Sequence, residues 1–91
     1  MVYLVCYDIT DDAIRLGVAR ILSEYGDRVQ RSVFEVRVRS EADLYGLIER
    51  LKDTAEDDCD VRMYRLCRNC RQTSQTLTGE AVAVFPATII V

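Results

Sequence analysis

The sequence predicts a small α+β domain, a sheet packed against helices, and three patterns carry that prediction. Val2 to Cys6 is a short apolar run rich in β-branched and aromatic types, too short for a helix of ordinary length. Residues 11–25 and 41–54 repeat their apolar residues at helical spacing, and residues 34–39 alternate apolar with charged. Ninety-one residues make one domain, and so small a domain buries only about 60% of its unfolded surface. Pairing with a second copy would remedy that shortfall by hiding a further apolar face.

The first run reads as a buried central strand that ends on Asp8. A carboxylate there must be solvated, hydrogen-bonded or bound to a cation, because burying it unpaired is costly. Thr10-Asp11-Asp12 then supplies an N-cap and first-turn acids for a helix carrying Ile14, Val18, Ile21, Leu22 and Tyr25, with Gly26 as its C-terminal stop. Residues 28–39 follow as a half-buried strand, Phe34, Val36 and Val38 on one face and Glu35, Arg37 and Arg39 on the other. Phe34 belongs to that apolar face and reads as core. Ser40-Glu41-Ala42-Asp43 caps a second helix that buries Leu44, Leu47, Ile48 and Leu51.

Asp60 to Arg68 reads as the next strand and Asn69 to Thr73 as a turn. A polar strand is expected over Gln72 to Leu77, broken by Gly79, and Pro86 separates a linker from a last apolar strand, Thr88 to Val91. Residues 1–78 thus form the core of a single domain, 1–91, and 79–91 its linker and closing strand. Periodicity leaves two topologies open. Residues 28–39 contain either two strands, giving β-α-β-β-α-β, or one, giving β-α-β-α-β-β.

Charge is segregated behind a net value of −3. Residues 41–60 hold eight acids and two bases, whereas 61–73 hold Arg62, Arg65, Arg68 and Arg71 and no acid, and 27–40 hold four Arg and two acids. Eleven of the twelve basic residues are Arg, whose planar fork suits phosphate better than an ammonium group does. Overall acidity argues against tight nucleic-acid binding by this chain alone, since such affinity rests on neutralised phosphates. The Glu56–Asp60 run lacks the ligand spacing and central Gly of a calcium loop. No stretch reaches the ~18 apolar residues of a membrane span, and the apolar start lacks the flanks of a signal peptide. A cytoplasmic protein is expected.

Four cysteines in such a chain are expected to be core thiols or a local disulfide. With no His, a structural zinc site would need all four or a partner chain. A thioredoxin-type use of Cys67-x-x-Cys70 would want the pair at the start of a helix, and Arg71-Gln72-Thr73-Ser74 promises none.

Three motifs carry a family resemblance. Tyr7-Asp8-Ile9 before Thr10-Asp11-Asp12, then Tyr25-Gly26 with Arg28-Val29-Gln30-Arg31-Ser32-Val33-Phe34-Glu35, then Asp60-Val61-Arg62-Met63-Tyr64-Arg65-Leu66, together resemble the CRISPR-associated protein two family, the small core subunit of spacer acquisition. Gly79 and the Ile89-Ile90-Val91 tail fit its closing segment. The resemblance implies a ferredoxin-like βαββαβ sandwich, which favours the two-strand reading of 28–39, and a homodimer whose last strand pairs with the partner's sheet. It implies either a magnesium-dependent (or other divalent-cation) endonuclease acting on RNA or DNA in antiviral defence, or a non-catalytic scaffold bridging dimers of the larger CRISPR adaptation integrase. Asp8 matches the family's metal-binding acid.

On the residues themselves, Asp8 is either a metal ligand or a cap for the first helix, a task that Thr10 and Asp11 perform equally well. Magnesium needs only one or two carboxylates beside waters and phosphate oxygens, and one Asp8 from each chain of a dimer would supply such a pair. Arg31 is placed to orient phosphate and Ser32 to hydrogen-bond nearby, while Arg15 follows the Asp-rich turn closely enough to reach the same phosphate. If the two Arg-bearing strands are neighbours, Arg37, Arg39, Arg62, Arg65 and Arg68 gather on one surface that holds a nucleic-acid backbone without reading sequence. A small-molecule regulatory domain ranks last, for want of a Gly-rich ligand turn.

Overall fold

The computed structural model describes residues 1–56 and 59–84. The chain runs β1 (Val2–Asp8), α1 (Asp12–Ser23), β2 (Gly26–Gln30), β3 (Val33–Arg37), α2 (Glu41–Thr54), β4 (Asp60–Leu66) and α3 (Arg68–Thr73). The four strands make one antiparallel sheet in the order β2-β3-β1-β4. This is the ferredoxin-like βαββαβ arrangement, with β1 central as its apolar run demands.

Period-two alternation assigns the faces. Val5 and Tyr7 of β1 and Phe34 and Val36 of β3 join Val18, Leu22, Leu47 and Leu51 of the helices in one core. Leu4, Cys6 and Asp8, and across from them Glu35 and Val33, therefore stand on the opposite face. The β1–β3 ladder continues past its named ends, since the Met1 amino group donates to the Val38 carbonyl at 2.8 Å and the Val38 N–H to the Met1 carbonyl at 2.9 Å. Asp11 caps α1 by accepting from the Ile14 N–H at 2.9 Å, and Ser40 caps α2 by accepting from the Asp43 N–H at 3.2 Å. A bidentate pair from Arg50 to Glu24, at 3.0 and 2.7 Å, ties α2 to the end of α1.

Residues 28–39 form two strands, as the resemblance implied: a hairpin, β2 and β3, turns at Arg31-Ser32, and the register slips between Arg28 and Gln30, a bulge that hides the hairpin from a period-two reading. Three expectations are corrected. Gly26 does not stop α1 in a left-handed conformation. It opens β2, where a Cβ would lie 1.9 Å from the Glu35 carbonyl oxygen, so glycine is needed for close approach of two backbones. The expected turn at 69–73 is the short helix α3, capped by Cys67, whose Sγ accepts from the Cys70 N–H. The expected strand over Gln72–Leu77 reduces to a single bridge, Gln75 to Ala81, around a turn at Gly79 (φ +90°). That small hairpin returns to the sheet, where the Ala83 N–H donates to Glu35 Oε1 at 3.1 Å. The expected linker at Pro86 and strand Thr88–Val91 lie outside the described residues.

Candidate functional site

Asp8 is the last residue of β1 and is exposed. Its cross-strand neighbour on β4 is another carboxylate, Asp60. Like charges directly opposite destabilise a ladder, and Asp60 offsets its own by pairing with Arg62 Nε at 3.1 Å. Among the described residues the ion pairs are Asp12–Arg15, Glu24–Arg50, Glu49–Lys52 and Asp60–Arg62, so Asp8 has none. Capping of α1 falls to Asp11, which leaves the Asp8 carboxylate without a structural task.

On its other side β1 meets the β2–β3 turn. The Tyr7 N–H donates to the Ser32 carbonyl at 3.0 Å, which brings the Arg31-Ser32 turn to this end of β1. Two concave surfaces lie at this end of the sheet. One, of about 470 Å³, is lined by Asp8, Asp11, Glu56 and Asp60 with Ile9, Thr10, Ile14 and Cys59. The other, of about 300 Å³, is lined by Tyr7, Arg15, Arg28 and Arg31 with Asp12, Leu16 and Ala19. Asp8 thus lines an acidic crevice, while its neighbour Tyr7, facing the other side of the sheet, lines a pocket with three guanidinium groups.

The basic pocket is held in place from below. Arg15 Nη1 donates to the Ile9 carbonyl at 3.0 Å and Nη2 to Asp12, which fixes the guanidinium over the strand end. Arg28 lies over the Phe34 ring, 5.2 Å from its centroid, a cation–π contact, and the Tyr7 ring stacks on Phe34 at 6.3 Å. The Tyr7 hydroxyl is buried and has no hydrogen-bond partner among the described residues. A buried hydroxyl left unpaired costs about 1–3 kcal/mol.

The residues at the strand end also bear on a divalent cation. Among the described residues no group of three or more His, Cys, Asp or Glu side chains converges as a metal cage. Two adjacent carboxylates, Asp8 and Asp60, do suit a hydrated magnesium ion, which keeps several of its waters and takes the remaining oxygens from substrate.

The remaining Arg residues do not form one surface. The two Arg-bearing strands are not neighbours, because β1 lies between β3 and β4. Arg62 and Arg65, three residues apart, take opposite faces of β4 by alternation. Arg62 stands at the Asp8 end opposite Cys6, whereas Arg37 lies opposite Val2 at the far end, with Arg39 beyond it and Arg68 opening α3. Burial and the charges of Arg65, Arg37 and Arg71 lower the pKa of the Met1 amino group, marking a second basic cluster there.

Sequence reading singled out Asp8, Arg15, Arg31 and Ser32 and passed over Tyr7, Arg28 and Asp60. Asp60 needed the β1–β4 register to be seen. Arg28 was masked by the bulge, and Tyr7 by its place in an apolar run.

The family model described as CRISPR associated protein Cas2 matches residues 1–74. Over 74 residues the chain is 43% identical to a protein of Chloroflexus aurantiacus named CRISPR-associated endoribonuclease Cas2 1, covering 79% of this chain and 78% of that one. The fold is similar to Streptococcus pyogenes Cas2, in a crystal structure at pH 6.5, with TM-score 0.75, 32% identity, and coverage of 85% of this chain and 99% of that one. It is also similar to a chain of a structure titled partial Cas6-RT-Cas1–Cas2 complex, with TM-score 0.68, 31% identity, and coverage of 92% and 98%. On this match and these identities, this chain belongs to the Cas2 family of CRISPR-associated proteins.

Proposed function

We propose that this chain is a metal-dependent endonuclease of CRISPR adaptation that hydrolyses phosphodiester bonds of RNA. The observation that carries the reading is the juxtaposition of an unpaired Asp8, opposed by Asp60, with the pocket of Tyr7, Arg15, Arg28 and Arg31. The relatives' name, endoribonuclease, supports the choice of RNA over DNA.

In this mechanism Arg15, Arg28 and Arg31 bind the phosphate on either side of the scissile bond and oppose the charge that develops on its oxygens. Two of the three are pre-positioned, Arg15 by Ile9 and Asp12 and Arg28 by the Phe34 ring, so little side-chain freedom is lost on binding. Asp8 and Asp60 would hold a divalent cation, magnesium or a close substitute, which would supply positive charge and a more acidic water. Asp8 also accepts a hydrogen bond from the attacking water and orients it. Ser32 stands at the rim beside Tyr7. Because the net charge is −3, affinity stays local to this pocket and long-range attraction is weak.

The working form is a homodimer. The sheet face away from the helices carries Leu4, Cys6, Val33 and Tyr64, an apolar surface suited to a second copy. Such a dimer sets two Asp8 carboxylates about one axis. A scaffold that joins integrase dimers and holds duplex DNA is the second reading, favoured by the similar chain in the Cas1–Cas2 complex.

The test separates binding from turnover. Arg31→Ala should weaken binding of a short single-stranded RNA and lower its salt slope by about 0.7, the loss of one phosphate contact. Asp8→Asn should leave binding within about twofold of wild type and slow cleavage by about a hundredfold or more. Loss of binding in Asp8→Asn equal to that in Arg31→Ala would overturn this division of labour.

A further inference from the structure

At the end of β4 remote from Asp8, two thiols face each other outside any role in the proposed reaction. Cys67 Sγ and Cys70 Sγ lie 3.2 Å apart, both exposed and both free. The other cysteines, Cys6 and Cys59, are half-buried in the sheet and its crevice. We infer that Cys67 and Cys70 form a reversible dithiol–disulfide couple that exchanges with low-molecular-weight disulfides of the glutathione class.

Three features support this. A disulfide needs about 2.05 Å between sulfurs, so the pair closes by a movement of roughly 1.2 Å within one turn of chain, without rearranging the sheet. Exposure gives an external disulfide access to either sulfur. The two sulfurs are also chemically unequal. The Cys70 backbone N–H donates to Cys67 Sγ at 3.3 Å and the two sulfurs lie in contact; these contacts lower the pKa of Cys67, while proximity to Cys67 raises that of Cys70. Cys67 is therefore the attacking sulfur and Cys70 the resolving one. Cysteine pairs of this kind in reducing compartments serve transient exchange more often than permanent cross-linking.

The exchange balances. The Cys67 thiolate attacks one sulfur of the external disulfide, a mixed disulfide forms, and one thiolate leaves. The Cys70 sulfur then attacks Cys67 Sγ, forms the internal S–S bond and expels the second thiolate. The two protons of the protein thiols end on the two released thiols, and two electrons pass from the protein to the external disulfide. Since β4 has seven residues, this couple lies on the order of 20 Å from Asp60 and the Asp8 site, and it works independently of cleavage.

The test counts thiols. The reduced chain is equilibrated with mixtures of reduced and oxidised glutathione, quenched in acid, unfolded and alkylated. The number of alkylated thiols should fall from the four of the sequence to two in one step, with the peptide bearing Cys67 and Cys70 lighter by two hydrogens. Cys70→Ser should instead be trapped with glutathione on Cys67, and Cys67→Ser should react about tenfold more slowly. Serine at position 67 still caps α3, so both variants fold. Four alkylated thiols across the whole series, or glutathione accumulating on Cys67 of the wild type without ring closure, would overturn the inference. Asp8→Asn should show the same thiol loss as wild type, which makes this result independent of the nuclease reading.

Discussion

Two glycines in this chain should respond to the same substitution with opposite signs. At Gly26 an added Cβ lies 1.9 Å from the Glu35 carbonyl oxygen and 2.6 Å from the Val36 Cα, both backbone atoms that cannot rotate away. Reaching even 3.0 Å, a separation real Cβ atoms hardly ever undercut, takes about 1.1 Å of movement of β2 away from β3. That movement strains the Gly26–Val36 pairing and the bond from the Arg37 N–H to the Tyr25 carbonyl, now 3.0 Å. Each weakened backbone bond costs about 1 kcal/mol and the overpacking about 1–3 kcal/mol, so Gly26→Ala should cost about 3 kcal/mol in all. At Gly46, on the exposed side of α2, nothing lies within 4 Å of the new atom. Gly46→Ala should stabilise by about 0.5–1 kcal/mol through helix propensity and reduced unfolded-chain freedom. Urea unfolding followed by circular dichroism measures both: with a slope of roughly 1.5 kcal/mol per molar, Gly26→Ala moves the midpoint down by about 2 M. A Gly26→Ala protein within about 0.5 kcal/mol of wild type would refute the β2–β3 register, and with it the placement of Arg28 and Arg31.

Other consequences follow from single contacts. Asp11→Ala removes the cap of α1 and should cost about 1 kcal/mol in chemical unfolding, whereas Asp8→Asn should be neutral or stabilising by a few tenths through relief of the Asp8–Asp60 opposition. Equal losses would mean that Asp8 is the cap. The guanidinium of Arg50, hydrogen-bonded to Glu24, holds that carboxyl below its ordinary 4.5. A depressed carboxyl pKa stabilises the fold above the ordinary value and loses that contribution as pH falls through the lowered one. Glu24 should therefore titrate below 4.5 by NMR in wild type and return upward in Arg50→Ala; an unchanged midpoint would show that the pair does not persist in solution.

Much of this fold was legible because each signal was local. Val2–Cys6, the caps at Asp11 and Ser40, and the Leu47 and Leu51 spacing of α2 announce themselves within a few residues. The β2–β3 hairpin was less legible, because its turn residues are Arg31 and Ser32 rather than Gly and Asn and a bulge interrupts its alternation. Helix α3 escaped because its cap is a thiol, a weak acceptor that no capping rule ranks. For the site, a strand-end carboxylate could be picked from sequence, but its neighbours could not. Asp60 joins Asp8 across fifty residues only through the ladder, and Arg28 reaches the pocket only because its strand stands at an inward register opposite Phe34. The same alternation separates Arg62 from Arg65, which the count of Arg residues along the chain could not reveal.

The most direct test of the nuclease reading is the cleavage rate of a labelled single-stranded RNA by wild type and Asp8→Asn, each with magnesium and with chelator. Circular dichroism and dimer mass are matched beforehand. Wild type should cleave only with magnesium, and Asp8→Asn should be slower by about a hundredfold or more, as expected for loss of a group that holds the metal and orients water. Cleavage that is equal in the two proteins, or absent from both, would contradict the catalytic role of Asp8 and leave the bridging scaffold as the function of this fold.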